Sequence, residues 1–162
     1  MTFIDHAPDR RRYGVLALFA LSTLGVGAVA GIVTAPEVTG WYATLTKPSF
    51  NPPNWVFGPV WTLLYLMMAV AAWRVWRVAG GRSRPLALFY VQLAFNLAWS
   101  FLFFRAHATG AALIEICVLL ILLFWTAASF ARYDRIATWL MVPYIAWVSF
   151  AAMLNAAIWE LN

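Results

Sequence analysis

Ala106 to Ala131 reads AHATGAALIEICVLLILLFWTAASFA, a stretch whose one acid or base other than histidine is Glu115. From Ile116 to Trp125 it is apolar on every face of a helix. A helix rising about 1.5 Å per residue needs about 20 residues to cross a hydrocarbon core of about 30 Å, and this stretch is longer. A strand of a membrane barrel would alternate in polarity over about ten residues, and no such alternation is present. Working outward, the charges leave four more stretches of similar kind, 13–36, 48–73, 85–104 and 136–159, none of which holds an acid, a lysine or an arginine. Composition agrees. Of 162 residues 64% are hydrophobic and only 10% charged, against about a quarter charged in a soluble domain, and the mean hydropathy is +0.78. A soluble enzyme is excluded, and an aromatic content of 17% excludes a disordered polymer. The expected fold is an all-α membrane protein, a bundle of five transmembrane helices over about 13–35, 52–78, 85–104, 109–131 and 135–159. A basic tail at 1–12 precedes them, and residues 13–160 form a single domain.

Local chemistry places the boundaries. Pro52 and Pro53 suit a first helical turn, where a missing N–H has no partner to lose, so the second helix is expected to begin there. Gly80, Gly81 and Pro85 interrupt the pattern before the third. Asp134 is placed to cap the fifth. The first connection, 36–51, is longer and carries Trp41, Tyr42, Lys47, Pro48 and Phe50. Prolines restrict such a loop and aromatics gain by packing, so it reads as a lid. The other reading of its rings is an interfacial aromatic belt.

With five spans, nine basic residues (Arg10, Arg11, Arg12, Arg74, Arg77, Arg82, Arg84, Arg132 and Arg135) share one side, against Lys47 and Arg105 on the other. That bias places the N-terminus in the cytoplasm of an inner membrane and the lid outside. The first apolar segment is long enough to span, and no removable signal peptide is expected. The bilayer is the expected partner, and nucleic acid is not, since the basic residues sit between apolar runs rather than along a solvated face.

One cysteine, Cys117, and two histidines, His6 and His107, are too few for a disulfide or a zinc cluster, and no cofactor is expected. No serine, histidine and acid converge, no catalytic residue is assigned, and Gly27 with Gly31 reads as a close helix contact in lipid. What remains is aromatic and amide chemistry. Phe57, Trp61 and Tyr65 share one face of the second helix; Gln92, Asn96 and Trp99 share one face of the third; Trp147, Ala151 and Asn155 line up on the fifth, beside Tyr144 and Leu154. Amides facing hydrocarbon would be left unbonded, so these faces should turn inward, to pair with one another or to meet a bound molecule. Glu115, about 15 Å into its segment, is a candidate functional or packing acid.

The string Trp41-Tyr42, Leu45, Lys47-Pro48, Phe50, Pro52-Pro53, Trp55 to Thr62 and Tyr65, with Gln92-Leu93, Asn96, Trp99, Phe103-Phe104, Pro143-Tyr144, Trp147, Ala151 and Leu154-Asn155, resembles the signature of the TspO/MBR family of tryptophan-rich sensory and translocator proteins. The resemblance implies a five-helix bundle, often a homodimer, with a cavity open toward the first loop that takes porphyrins or other planar hydrophobic ligands. Carried over position by position, the cavity would include Phe57, Gly58, Trp61, Asn96, Trp99, Ala151 and Leu154, closed by Trp41 and Tyr42. Tyr65, Tyr144 and Trp147 join them from the helical faces above. Lys47 or backbone donors would meet the ligand's acids near water. Two departures stand out. Leu154-Asn155 is followed by no tyrosine, so the sterol-recognition stretch of the animal proteins is incomplete, and Ala111 stands where those proteins have a tryptophan. The expected role is a translocator or sensor of tetrapyrroles, with light- and oxygen-dependent porphyrin degradation and a structural membrane subunit as alternatives. The resemblance admits an outer membrane as well as an inner one. Ala94 with Ala98, or Gly27 with Gly31, would supply the dimer face.

Overall fold

The computed structural model describes residues 10–81 and 83–162, without the side chains of Arg10 and Arg11; the expected tail over residues 1–9 lies outside it. Its elements are α1 (Arg10–Thr39), a single turn α2 (Trp41–Thr44), α3 (Asn54–Ala79), α4 (Arg84–Ser100) running into a π-helical turn (Phe101–Arg105), α5 (Thr109–Ala131) and α6 (Arg135–Leu161). Five of them are long and apolar enough to cross a membrane: Arg12–Thr39, Asn54–Ala79, Arg84–Arg105, Thr109–Ala131 and Arg135–Leu161. No strand occurs among the described residues.

Several boundaries differ from the sequence reading. The first helix passes through Pro36 to Thr39. At Pro36 the helix loses one N–H donor, but the Pro36 carbonyl accepts from Gly40 N–H at 3.1 Å and from the Thr39 hydroxyl at 3.3 Å, which closes the last turn. Pro52 and Pro53 precede the helix rather than occupy its first turn: Pro53 is extended, and α3 opens at Asn54. Asp134 caps α6 as its position suggests, accepting from Ala137 N–H at 3.0 Å. Burial pushes this carboxyl up, but the Ala137 N–H and the Arg74 guanidinium, 2.8 Å away, outweigh it and hold the group below the ordinary aspartate range.

The helices close a ring in the order α1, α3, α6, α5, α4, each packed on the next and α4 returning to α1. Half of the bundle is solid. Met68, Ala71, Ala72 and Val75 of α3, Phe89 of α4, Leu123 and Phe130 of α5 and Met141 of α6 are fully buried there. Toward the lid a second cluster of Tyr42, Phe103, Phe104, Ala112, Leu154 and Ile158 forms, and beside it the bundle is hollow. The cause lies in α1, which turns Gly27, Ala28, Ala30, Gly31 and Thr34 toward the space that larger side chains would fill.

Candidate functional site

The hollow has a volume of about 430 Å³, inside the range of about 300–1,000 Å³ usual for small-molecule sites. Phe57, Trp61 and Tyr65 of α3, Trp99 and Phe103 of α4 and its π turn, and Trp147 of α6 form its aromatic walls. Ten of the twelve residues expected at the site line it: Tyr42, Phe57, Gly58, Trp61, Tyr65, Asn96, Trp99, Trp147, Ala151 and Leu154. The i, i+4 spacing that put Phe57, Trp61 and Tyr65 on one helical face is the local reason they meet there. Trp61 stacks on Tyr65 with ring centres 5.6 Å apart, Phe57 stands edge-on to Trp147 at 5.8 Å, and Trp99 stacks on Phe103 at 5.1 Å. The belt reading applies to other tryptophans: Trp55, Trp125, Trp139 and Trp159 face outward.

Two expected residues stand outside the lining. Tyr144 is fully buried behind Trp61, edge-on to it at 6.1 Å, and its hydroxyl donates to Gln92 Oε1 at 3.2 Å; it supports the wall rather than forming it. Trp41 lies on the lid, stacked on His107 at 4.1 Å and edge-on to Phe103 at 5.7 Å. Lys47 is likewise absent from the lining. Its ammonium donates to the carbonyls of Leu45 at 3.1 Å and Ala43 at 3.4 Å and lies over the Tyr42 ring.

The amides pair between helices and also reach the cavity. Tyr65 donates to Asn96 Oδ1 at 2.7 Å, joining α3 to α4, and Trp99 Nε1 donates to Asn155 Oδ1 at 3.1 Å, joining α4 to α6. Asn155 in turn donates to the Thr109 carbonyl at 2.8 Å at the start of α5. Asn96 and Asn155 thus hold rings in place while lining the same space. Trp147 differs: its Nε1 is buried with no hydrogen-bond partner. A buried donor without an acceptor costs about 1–3 kcal/mol, so this N–H weighs against stability while the ring itself forms the wall. Glu115 is not part of the lining. Both of its carboxylate oxygens are buried without partners within α5.

Sequence reasoning missed three features. Of the glycine pair only Gly27 makes the expected close helix contact, to α3, where an added Cβ would stand 2.5 Å from the Tyr65 ring; one at Gly31 would meet nothing within 4 Å. Gly27 therefore admits Tyr65, and Gly31 keeps the cavity open. The π turn at Phe101–Arg105 inserts an extra residue per turn, which buries Phe103 and Phe104 side by side under the lid. The lid is also pinned at two places. His107 donates to Glu37 at 3.0 Å while carrying Trp41, and the amide of Asn162 pairs with both backbone groups of Thr46, at 2.9 and 3.0 Å. Within it, burial raises the Tyr42 phenol above its ordinary pKa, so it stays protonated and donates to Asn51 Oδ1 at 2.8 Å.

The family model described as TspO/MBR matches residues 18–160. Among curated relatives, the tryptophan-rich protein TspO of Chlorobaculum tepidum is 41% identical over 150 residues, covering 91% of this chain and 95% of that protein. The translocator protein of Sus scrofa is 37% identical over 145 residues, 85% and 86% of the two chains. The tryptophan-rich sensory protein of Cereibacter sphaeroides is 37% identical over 147 residues, 91% of each.

Proposed function

From the premise that this chain belongs to the TspO/MBR family, whose named members include translocator and sensory membrane proteins, we propose that it binds a tetrapyrrole of the protoporphyrin type, or a similar planar hydrophobic ligand, in the cavity beneath the lid. The observation that carries this reading is the convergence of Trp61, Trp99 and Trp147 on one apolar chamber. Aromatic faces stack on a conjugated ring. Lys47, expected to meet the ligand's acids, is held by its own loop. Trp41 and Tyr42 act through the lid, and Tyr144 acts from behind Trp61. The chain works as a translocator or sensor with its N-terminus on the cytoplasmic side, as the charge bias suggests. Two copies associate through the exposed α4 face that carries Ala94 and Ala98, since Gly27 is engaged within the bundle.

Titration of the detergent-solubilised chain with protoporphyrin IX tests the reading. Saturable quenching of tryptophan fluorescence at one ligand per chain, weakened in Trp61→Ala, is the expected result. Quenching that is linear in ligand and unchanged in the variant sinks it. Illumination of the same complex separates binding from degradation: porphyrin absorption that decays no faster than with free tryptophan leaves binding alone. Cysteines introduced at Ala94 and Ala98 should crosslink two copies, and monomers after oxidation count against that face.

A further inference from the structure

The residues that line the chamber are not equally covered. Those from α4, its π turn and α6 are buried or half-buried, whereas Ala28 and Gly31 of α1 and Asn54, Gly58 and Thr62 of α3 line the chamber and are exposed as well. Exposed lining confined to two neighbouring helices marks an opening, so among the described residues the chamber has a side seam between α1 and α3. A Cβ added at Gly31 or at Gly58 would meet nothing within 4 Å, and neither helix closes the gap at that level. Under the lid the chamber is shut. Tyr42 is buried against Phe103 and Phe104, Asn162 ties down Thr46, and Glu37 holds His107.

Depth decides what the seam faces. Gly31 comes eight residues before the end of α1 at Thr39, and Thr62 eight after the start of α3 at Asn54, about 12 Å in each case at about 1.5 Å per residue. Both helices are long and apolar enough to span, so the seam meets the acyl chains of the lid-side leaflet rather than water. The Thr62 hydroxyl donates to the Gly58 carbonyl at 2.9 Å and therefore turns no unpaired donor toward hydrocarbon. We propose, on the reading that the chamber is a ligand site, that its ligand enters and leaves sideways from the lid-side leaflet, through the seam between α1 and α3. The class of ligand admitted this way is a flat apolar molecule already dissolved among acyl chains. The fastened lid then separates the chamber from water instead of admitting the ligand.

Ala35 is exposed, does not line the chamber and follows Gly31 by one helical turn. Helical side chains lean toward the N-terminus, so a ring at Ala35 would lie across the seam beside Gly31. With the full chain in phosphatidylcholine nanodiscs, stopped-flow quenching of tryptophan fluorescence by protoporphyrin IX gives the association rate, and release into excess protein-free vesicles gives the dissociation rate. Ala35→Phe should slow both about tenfold and leave their ratio, the affinity, as in wild type, since an obstacle outside the site changes the path and not the end states. Ala35→Leu should fall between the two. Val29→Phe, at an exposed position turned about 120° round α1, should match wild type. Rates in Ala35→Phe equal to wild type overturn the proposal, and faster rates in His107→Ala would then place the passage under the lid. Lost affinity with unchanged release also counts against it, because the ring would then sit in the chamber. A wild-type chain without saturable quenching sinks the ligand reading and the seam with it, a failure distinct from unaltered rates in a chain that binds.

Discussion

Trp99 and Trp147 line the same cavity, but only Trp99 has a partner for its indole N–H, Asn155 Oδ1 at 3.1 Å. Replacing each with phenylalanine removes the same ring area and the same donor, so the difference between the variants isolates the hydrogen bond. Trp99→Phe loses a bond worth about 1 kcal/mol and strands the Asn155 acceptor, whereas Trp147→Phe removes a donor whose burial already costs about 1–3 kcal/mol. Trp99→Phe should therefore be the less stable by about 2 kcal/mol, or about 4–8 °C in a chain of this size. Ligand affinity should not separate the two. Trp147 Nε1 is buried off the cavity and Trp99 Nε1 is held by Asn155, so each variant loses only wall area and should weaken porphyrin binding about fivefold. Thermal unfolding and porphyrin absorbance titration, both in one detergent, read the two quantities. Equal losses of stability, or full affinity in Trp147→Phe, refute the reasoning.

Gly27→Ala places a methyl 2.5 Å from the Tyr65 ring; displacing that ring breaks its bond to Asn96, and a stability loss of about 1–3 kcal/mol should appear in thermal unfolding. His107→Ala removes the ring under Trp41 and the partner of Glu37, so hydrogen exchange in 41–46 should speed up while exchange in the α3 and α5 cores stays as in wild type. Asp134→Ala should cost about 1 kcal/mol through loss of the α6 cap. Because the folded-state pKa of Asp134 lies below its unfolded value, its contribution is complete above that unfolded value and disappears as pH falls through the folded one; the variant's acid unfolding curve should be correspondingly flatter. Glu115→Met replaces two buried, unpartnered oxygens with a thioether and should raise the unfolding temperature.

The spans were legible because a charge inside hydrocarbon is costly, so the positions of arginine and acid mark the helix ends with little else needed. The aromatic faces were legible because helical periodicity alone puts Phe57, Trp61 and Tyr65 on one side. The hollow itself was not, since a cavity records missing side chains, and Gly31 and Ala28 look in sequence like any small residues packed between helices. Nor does periodicity give depth. Tyr144 shares a helical side with Trp147 yet sits one layer behind it, bonded to Gln92. The lid's fastenings join residues far apart in the chain, Thr46 with Asn162 and Glu37 with His107, and no local pattern announces such pairs. The π turn has no sequence mark either, since Phe103 and Phe104 read as two more apolar residues of a span and not as a pair set side by side under Tyr42 and Trp41.

Gly31 offers the most direct trial of the chamber as a ligand site, because an added Cβ there meets open space and glycine is a weak helix former. Porphyrin titration of Gly31→Phe, with its unfolding temperature measured alongside, should show a chain at least as stable as wild type that has lost saturable binding. A stable Gly31→Phe chain that binds porphyrin with wild-type affinity would contradict the account, since the ligand would then be seated elsewhere.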